Sequence, residues 1–205
     1  SLMRNAKGLS LDYCYNVNAV SCRIYAKDMA GNAGIGAELT NSATLNMTGG
    51  SIEYYSRAVT LTTATKVSMD MVYFESALPT GTKCFGIYAD GAGIGISATN
   101  CHVFYAHHTA WIFYNGADSG GVLTSKGNKF SNAVVDGAPG YAYLWSGGRS
   151  TPLNVFLEGD QHLNVVPGAG LYWTGGLPSS GSRVTAPGQA TSMSGTLVAV
   201  DGVSV

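Results

Sequence analysis

Only 11% of the 205 residues are Asp, Glu, Lys or Arg, while 28 are glycine and 45% are hydrophobic; an average soluble domain carries roughly 25% charged residues. With a net charge of −1 and no cluster of Lys or Arg, the chain lacks the electrostatic footprint of a nucleic-acid binder. It also lacks an apolar run near the ~20 residues that a membrane-crossing helix needs, so neither nucleic acid nor membrane is expected as a partner. Ser1-Leu2-Met3-Arg4 reads neither as a signal peptide nor as a translation start, and the sequence is expected to be a piece of a longer chain.

Taken in order, the apolar residues repeat. Leu11, Val17 and Ile24 form a triplet in which the second residue follows the first by six positions and the third follows by seven, and Leu39, Leu45, Ile52 and Leu61, Val67, Phe74 repeat it. Ile87, Ile94, Cys101 and the stretched Phe113, Leu123, Phe130 read as later copies. Successive copies lie about 22 to 28 residues apart, the signature of coils whose loops differ in length. Inside each copy, apolar residues alternate with polar ones, as in Leu45-Asn46-Met47 and Val67-Ser68-Met69, which is the two-residue period of a strand. The pattern therefore predicts an all-β, right-handed parallel β-helix (solenoid) of about five to six coils.

Residues 1–31 make the first coil, 35–57 the second with Gly49-Gly50 at a sharp bend, 58–84 the third and about 85–110 the fourth. Gly91 to Gly95 carries a G-x-G pattern, but no helix follows whose amides could hold a phosphate, so a nucleotide site is rejected. A long loop, 115–121, extends the fifth coil. One irregular coil follows, so residues 1–162 are assigned to the β-helix and 163–205 to an irregular Gly/Pro-rich C-terminal coil or cap, expected either to wrap a neighbouring subunit or to cover the open end. Cys14, Cys22, Cys84 and Cys101 have no CxxC spacing. Cys101 reads as a buried small hydrophobe, and no metal site and no cofactor are expected.

Ala58-Val59-Thr60-Leu61 followed by Val67-Ser68-Met69-Asp70, and Thr99-Asn100-Cys101-His102-Val103-Phe104, resemble the pectate-lyase-like right-handed β-helix. Within that superfamily, the low charge and the Gly/Ser/Asn-rich surface most resemble a bacteriophage tailspike, over roughly residues 8 to 160. The resemblance implies a homotrimer on the virion tail, outside the cell, that recognises and often cleaves bacterial surface polysaccharide, with other virion tail proteins as possible neighbours. It carries no catalytic residue across.

Candidate site residues come from stacking the copies. The outward position after the third apolar column reads Tyr25, Glu53, Glu75, His102 and Ser131, so Glu53 and Glu75 are expected one rung apart. Carboxylates about 5 Å apart suit a retaining glycosidase, and such proximity should push one pKa upward, as a general acid requires. His102 is a candidate proton carrier. Tyr25, Tyr55, Trp111, Tyr114 and Asp118 are the candidate substrate-binding set, because exposed aromatic rings stack on sugar faces. The contrasting reading is a solvated polar ladder with aromatics chosen for strand propensity. A second acidic spot, Glu158, Asp160 and His162, has no defined partner in sequence. The functions left open are a polysaccharide-degrading tailspike segment, a non-catalytic receptor-binding or structural fibre segment, and a bacterial surface adhesin. Outward Tyr25, Tyr55, Phe104 and Tyr114 also suggest apolar patches that a homotrimer would cover.

Overall fold

In a computed structural model, residues 7–26, 34–76, 84–105, 110–114, 121–131, 134–135, 138–139, 141–147, 154–158, 160–163, 171–175, 183–184 and 192–193 are described. Their side chains are described at 7–26, 34–75, 84–104, 111–112, 121–129, 156, 158 and 160. Three sheets of eight, seven and six strands, each parallel throughout, run along the molecule. From Lys7 to Val184, successive strands of these sheets visit the first, second and third in turn, and the fold is a right-handed parallel β-helix.

The first sheet stacks Lys7–Asp12, Ile35–Thr40, Arg57–Leu61, Phe85–Ala89, Ala110–Tyr114 and Tyr141–Gly147. The second stacks Val17–Val20, Thr44–Thr48, Lys66–Asp70, Gly95–Thr99, Val122–Lys126 and Asn154–Glu158. The third stacks Arg23–Tyr25, Ser51–Glu53, Tyr73–Ser76, His102–Tyr105, Lys129–Ser131 and Gln161–Leu163. Leu171–Gly175 and Ser192–Met193 extend the first sheet and Arg183–Val184 the second. An antiparallel pair, Val134–Val135 with Ala138–Pro139, stands apart from the three sheets.

The first three apolar triplets are in register as expected: Leu11, Leu39 and Leu61, then Val17, Leu45 and Val67, then Ile24, Ile52 and Phe74. Leu39, Leu45, Ile52, Leu61 and Phe74 are wholly buried, because alternate strand residues point inward and the coils above and below close the column. In the fourth coil the register differs from the expected one. Ala89, Ile96 and Val103 occupy the columns assigned to Ile87, Ile94 and Cys101. The inward pair is accordingly Ile96 and Ala98, aligned with Val67 and Met69. A slip of two residues preserves facing, so Ile87, Ile94 and Cys101 are buried all the same. In the fifth coil Leu123 and Phe130 hold their columns, but Tyr114 aligns with Ala89, and Phe113 aligns with Tyr88.

One corner is constant. From Val17 to Ile24, Leu45 to Ile52, Val67 to Phe74, Ile96 to Val103 and Leu123 to Phe130, the second and third sheets are joined with a spacing of seven residues. The reason is a left-handed residue at the same place in each coil: Ser21, Gly49, Met71, Asn100 and Gly127, with φ of 51°, 63°, 55°, 52° and 64°. The carbonyl of the residue after it accepts a hydrogen bond from the next coil, as in Ser51 N to Cys22 O (2.9 Å), Tyr73 N to Gly50 O (3.0 Å) and His102 N to Val72 O (3.0 Å), and at Val72, Cys101 and Asn128 that residue is buried. Cys101 occupies this column, 1% exposed, and burial pushes its thiol up to about 12.

Candidate functional site

The outer face of the third sheet brings together most of the described candidate residues. Tyr25, Glu53 and Glu75 stand in one column, as the stacking predicts, with Phe104 and Ser131 continuing it. Parallel strands place neighbouring members of this column about 4.8 Å apart at the backbone. His102 is corrected by the two-residue slip: it belongs to the adjacent column of Arg23, Ser51, Tyr73 and Lys129. There it packs edge-on against Tyr73 with ring centroids 5.5 Å apart.

Glu53 is not the free carboxyl a general acid requires. Its side chain is 9% exposed, and Arg23 grips both oxygens, Nε to Oε1 at 2.9 Å and Nη2 to Oε2 at 2.5 Å. Ser51 Oγ also donates to Oε1 at 2.6 Å. Burial alone would raise the pKa of this carboxyl, but the hydrogen bonds from Arg23 and Ser51 and the guanidinium charge outweigh it, so Glu53 titrates below its ordinary value. The upward shift expected from two adjacent carboxylates is thus reversed at Glu53, because the Arg23 guanidinium neutralises it.

Glu75 sits differently. Tyr54 Oη donates to its Oε1 at 3.3 Å and Tyr73 Oη to its Oε2 at 3.0 Å. Among the described residues no Lys, Arg or His lies within ion-pair distance of it. Burial, followed by the hydrogen bond and charge of Glu75, pushes the Tyr73 phenol up to about 12, and Tyr54 moves in the same direction. Both phenols therefore remain protonated donors at neutral pH. Tyr25, 45% exposed, packs edge-on against Tyr54 at 5.7 Å, and the Arg23 guanidinium lies 4.7 Å from the Tyr25 ring centre. Tyr25, Tyr54, Tyr73, Glu75 and His102 together make an aromatic surface around one carboxylate.

Two of the expected binding aromatics are not on the surface. Tyr55 is 5% exposed and Trp111 0%. Both fill space that glycines leave in neighbouring coils. A Cβ on Gly8 or Gly36 would meet Tyr55 at 2.8 or 3.1 Å, and one on Gly86 would meet Trp111 Cε3 at 2.0 Å. The Trp111 ring also packs edge-on against Phe74 at 4.8 Å, so it is a core residue and offers no face to a sugar. The Tyr114 side chain and all of Asp118 lie outside the described residues, with the Tyr114 backbone in register with Ala89 and Trp145.

Asp160 and Glu158 of the second acidic spot go to different surroundings, and the His162 side chain lies outside the described residues. Asp160 is 4% exposed and accepts from Ser125 Oγ (2.8 Å), Asn128 N (2.7 Å) and Asn128 Nδ2 (3.1 Å), while Asn128 Oδ1 accepts from Cys101 N (2.8 Å). Asp160 is thus part of an internal polar stack at the constant corner. Glu158 faces solvent and pairs with Lys126 at 3.3 Å. On the second sheet, Gly95 leaves a notch between Lys66 and Val122, and a cleft of about 460 Å³ opens there, walled by Asn46, Ser68, Ser97 and Thr124. Among the described residues no three His, Cys, Asp or Glu side chains are grouped to hold a metal ion.

Sequence reasoning missed Arg23, Tyr54 and Tyr73 as members of this face. Arg23 reaches Glu53 across a coil, from a column two residues away, and only the register shows that. Tyr54 had a local signal: it directly follows Glu53, and its left-handed φ of 64° ends the strand and turns the ring back over the sheet. No protein-family model, no curated protein and no solved structure matches the chain. What the fold defines is a class, the all-parallel β-solenoid, consistent with the right-handed β-helix superfamily.

Proposed function

We propose that the chain is a non-catalytic, receptor-binding segment of an extracellular fibre, and that it recognises bacterial surface polysaccharide through the outer face of the third sheet. The observation that carries this reading is the state of the two glutamates. Glu53 is ion-paired and shifted toward the anion, whereas Glu75 is set among tyrosines whose rings and hydroxyls suit a sugar. Rings stack on the apolar face of a pyranose, and a carboxylate accepts from its hydroxyls. Rigid coils hold these groups in fixed register, so a polymer lying across the rungs meets a preorganised surface.

The setting on a virion tail, as a homotrimer of the tailspike kind, belongs to the same proposal and rests on the resemblance of the repeats. Tyr13, Tyr15, Val20, Met71 and Val122 are between 43% and 70% exposed, and contact between copies would cover such side chains. The test is a panel of capsular and lipopolysaccharide preparations, with bound glycan, new reducing ends and unsaturated products read separately. Retention without either product supports the reading. Cleavage that disappears in Glu53→Gln would replace it with the degrading enzyme.

A further inference from the structure

The two carboxylates of the third sheet differ in one respect that points to a ligand. Glu53 receives its cation from the coil below, where Arg23 stands in the adjacent column. The corresponding position below Glu75 is Ser51, in register with Arg23, and its hydroxyl is already committed to Glu53. The coil thus repeats the carboxylate without repeating the guanidinium. Glu75 is half-buried, and each of its oxygens has accepted one phenolic hydrogen bond, which leaves a lone pair on each for a further donor.

We infer that Glu75, flanked by Tyr54 and Tyr73, is a subsite for a protonated amino group on the bound glycan, so that the ligand is a polysaccharide containing unacetylated amino sugars. This rests on the glycan-binding reading above. An ammonium has three donors and suits two carboxylate oxygens bordered by phenolic oxygens, because charge-assisted hydrogen bonds form there and Tyr25 stands in the same column one coil below Glu53. Arg23 shows the same combination one coil down, bound to Glu53 and lying 4.7 Å from the Tyr25 ring centre. The ligand's ammonium takes, at Glu75, the part that the guanidinium takes at Glu53.

The test measures binding of a glucosamine oligomer and an N-acetylglucosamine oligomer of equal length by titration calorimetry. It is run at about pH 5.5, below the ordinary range of an amine. The intact chain is expected to bind the glucosamine oligomer at least tenfold more tightly. In Glu75→Gln, checked for folding by circular dichroism, the two affinities should fall within about twofold of each other, the glucosamine oligomer losing more than the N-acetyl one. Glu158→Gln, an exposed carboxylate on the second sheet, should leave the preference unchanged. Equal binding of both oligomers by the intact chain, or a preference that survives Glu75→Gln, overturns the inference and leaves glycan binding standing. Competition by lysine amide as strong as the oligomer's assigns the ammonium to a peptide and overturns it as well. Absence of binding to these oligomers and to every polysaccharide of the panel overturns the underlying reading with it.

Discussion

Replacing Arg23 by Ala separates an ion-paired Glu53 from a catalytic one. The substitution removes two hydrogen bonds, of 2.9 and 2.5 Å, from a carboxylate whose side chain is 9% exposed. Breaking a fully buried pair costs about 3–5 kcal/mol. Arg23 itself is 60% exposed, so water recovers part of the loss, and about 2 kcal/mol at pH 7 is expected. The sign with pH follows from the shift. The folded-state pKa of Glu53 lies below its ordinary 4.5, so the pair's contribution is present above that value and disappears as pH falls through the lower folded value. Without Arg23, burial becomes the main influence and moves the carboxyl upward, and acidification then protonates it at less cost. The destabilisation should therefore shrink as pH falls through the folded-state value of Glu53. Urea unfolding followed by far-ultraviolet circular dichroism, at one protein concentration and a series of pH values, measures it. A difference that is constant from pH 7 to 3, or absent at pH 7, refutes the reasoning.

Gly86→Ala puts a Cβ 2.0 Å from Trp111 Cε3 and 2.7 Å from the Trp111 carbonyl oxygen, and should lower stability by about 3 kcal/mol, since backbone cannot yield as a flexible side chain can; a melting midpoint equal to the parent's contradicts the packing of Trp111. Val67→Asp buries a charge at a site 2% exposed and should cost about 4 kcal/mol or abolish folding. Met71→Gly relieves a left-handed residue at φ 55° that is 58% exposed; it should gain about 0.5 kcal/mol after the entropy of glycine is subtracted, and a clear loss in denaturant unfolding contradicts the corner geometry. Light scattering is expected to give three copies of the 21.2 kDa chain; a monomer at all concentrations removes the trimer.

The fold was legible where geometry repeats without insertion. Leu39, Leu45 and Ile52 predict Leu61, Val67 and Phe74 because the corners between these strands keep their length. The fourth coil was misread for two reasons. Ala89 is a weak apolar signal beside Ile87, and the corner from Ala89 to Ile96 spans seven residues where Leu61 to Val67 spans six. Its left-handed Gly91 and Gly93 accommodate the extra residue. His102 was misplaced for the same reason. The buried aromatics had a readable sign. Gly8, Gly36 and Gly86 each take the second position of a first-sheet strand, and a glycine column inside a solenoid leaves room that a neighbouring ring fills. At the site, the rung relation of Tyr25, Glu53 and Glu75 followed from column counting. The capture of Glu53 by Arg23 did not, because it depends on side-chain reach between columns.

A crystal structure of the chain with a bound oligosaccharide from a surface polysaccharide tests the central claim most directly. Sugar rings lying on Tyr25, Tyr54 and Tyr73, with the glycosidic bond intact and the Arg23–Glu53 pair unbroken, are the predicted result. Sugar seated in the second-sheet cleft beside Lys66, or a cleaved product with Glu53 released from Arg23, contradicts the account.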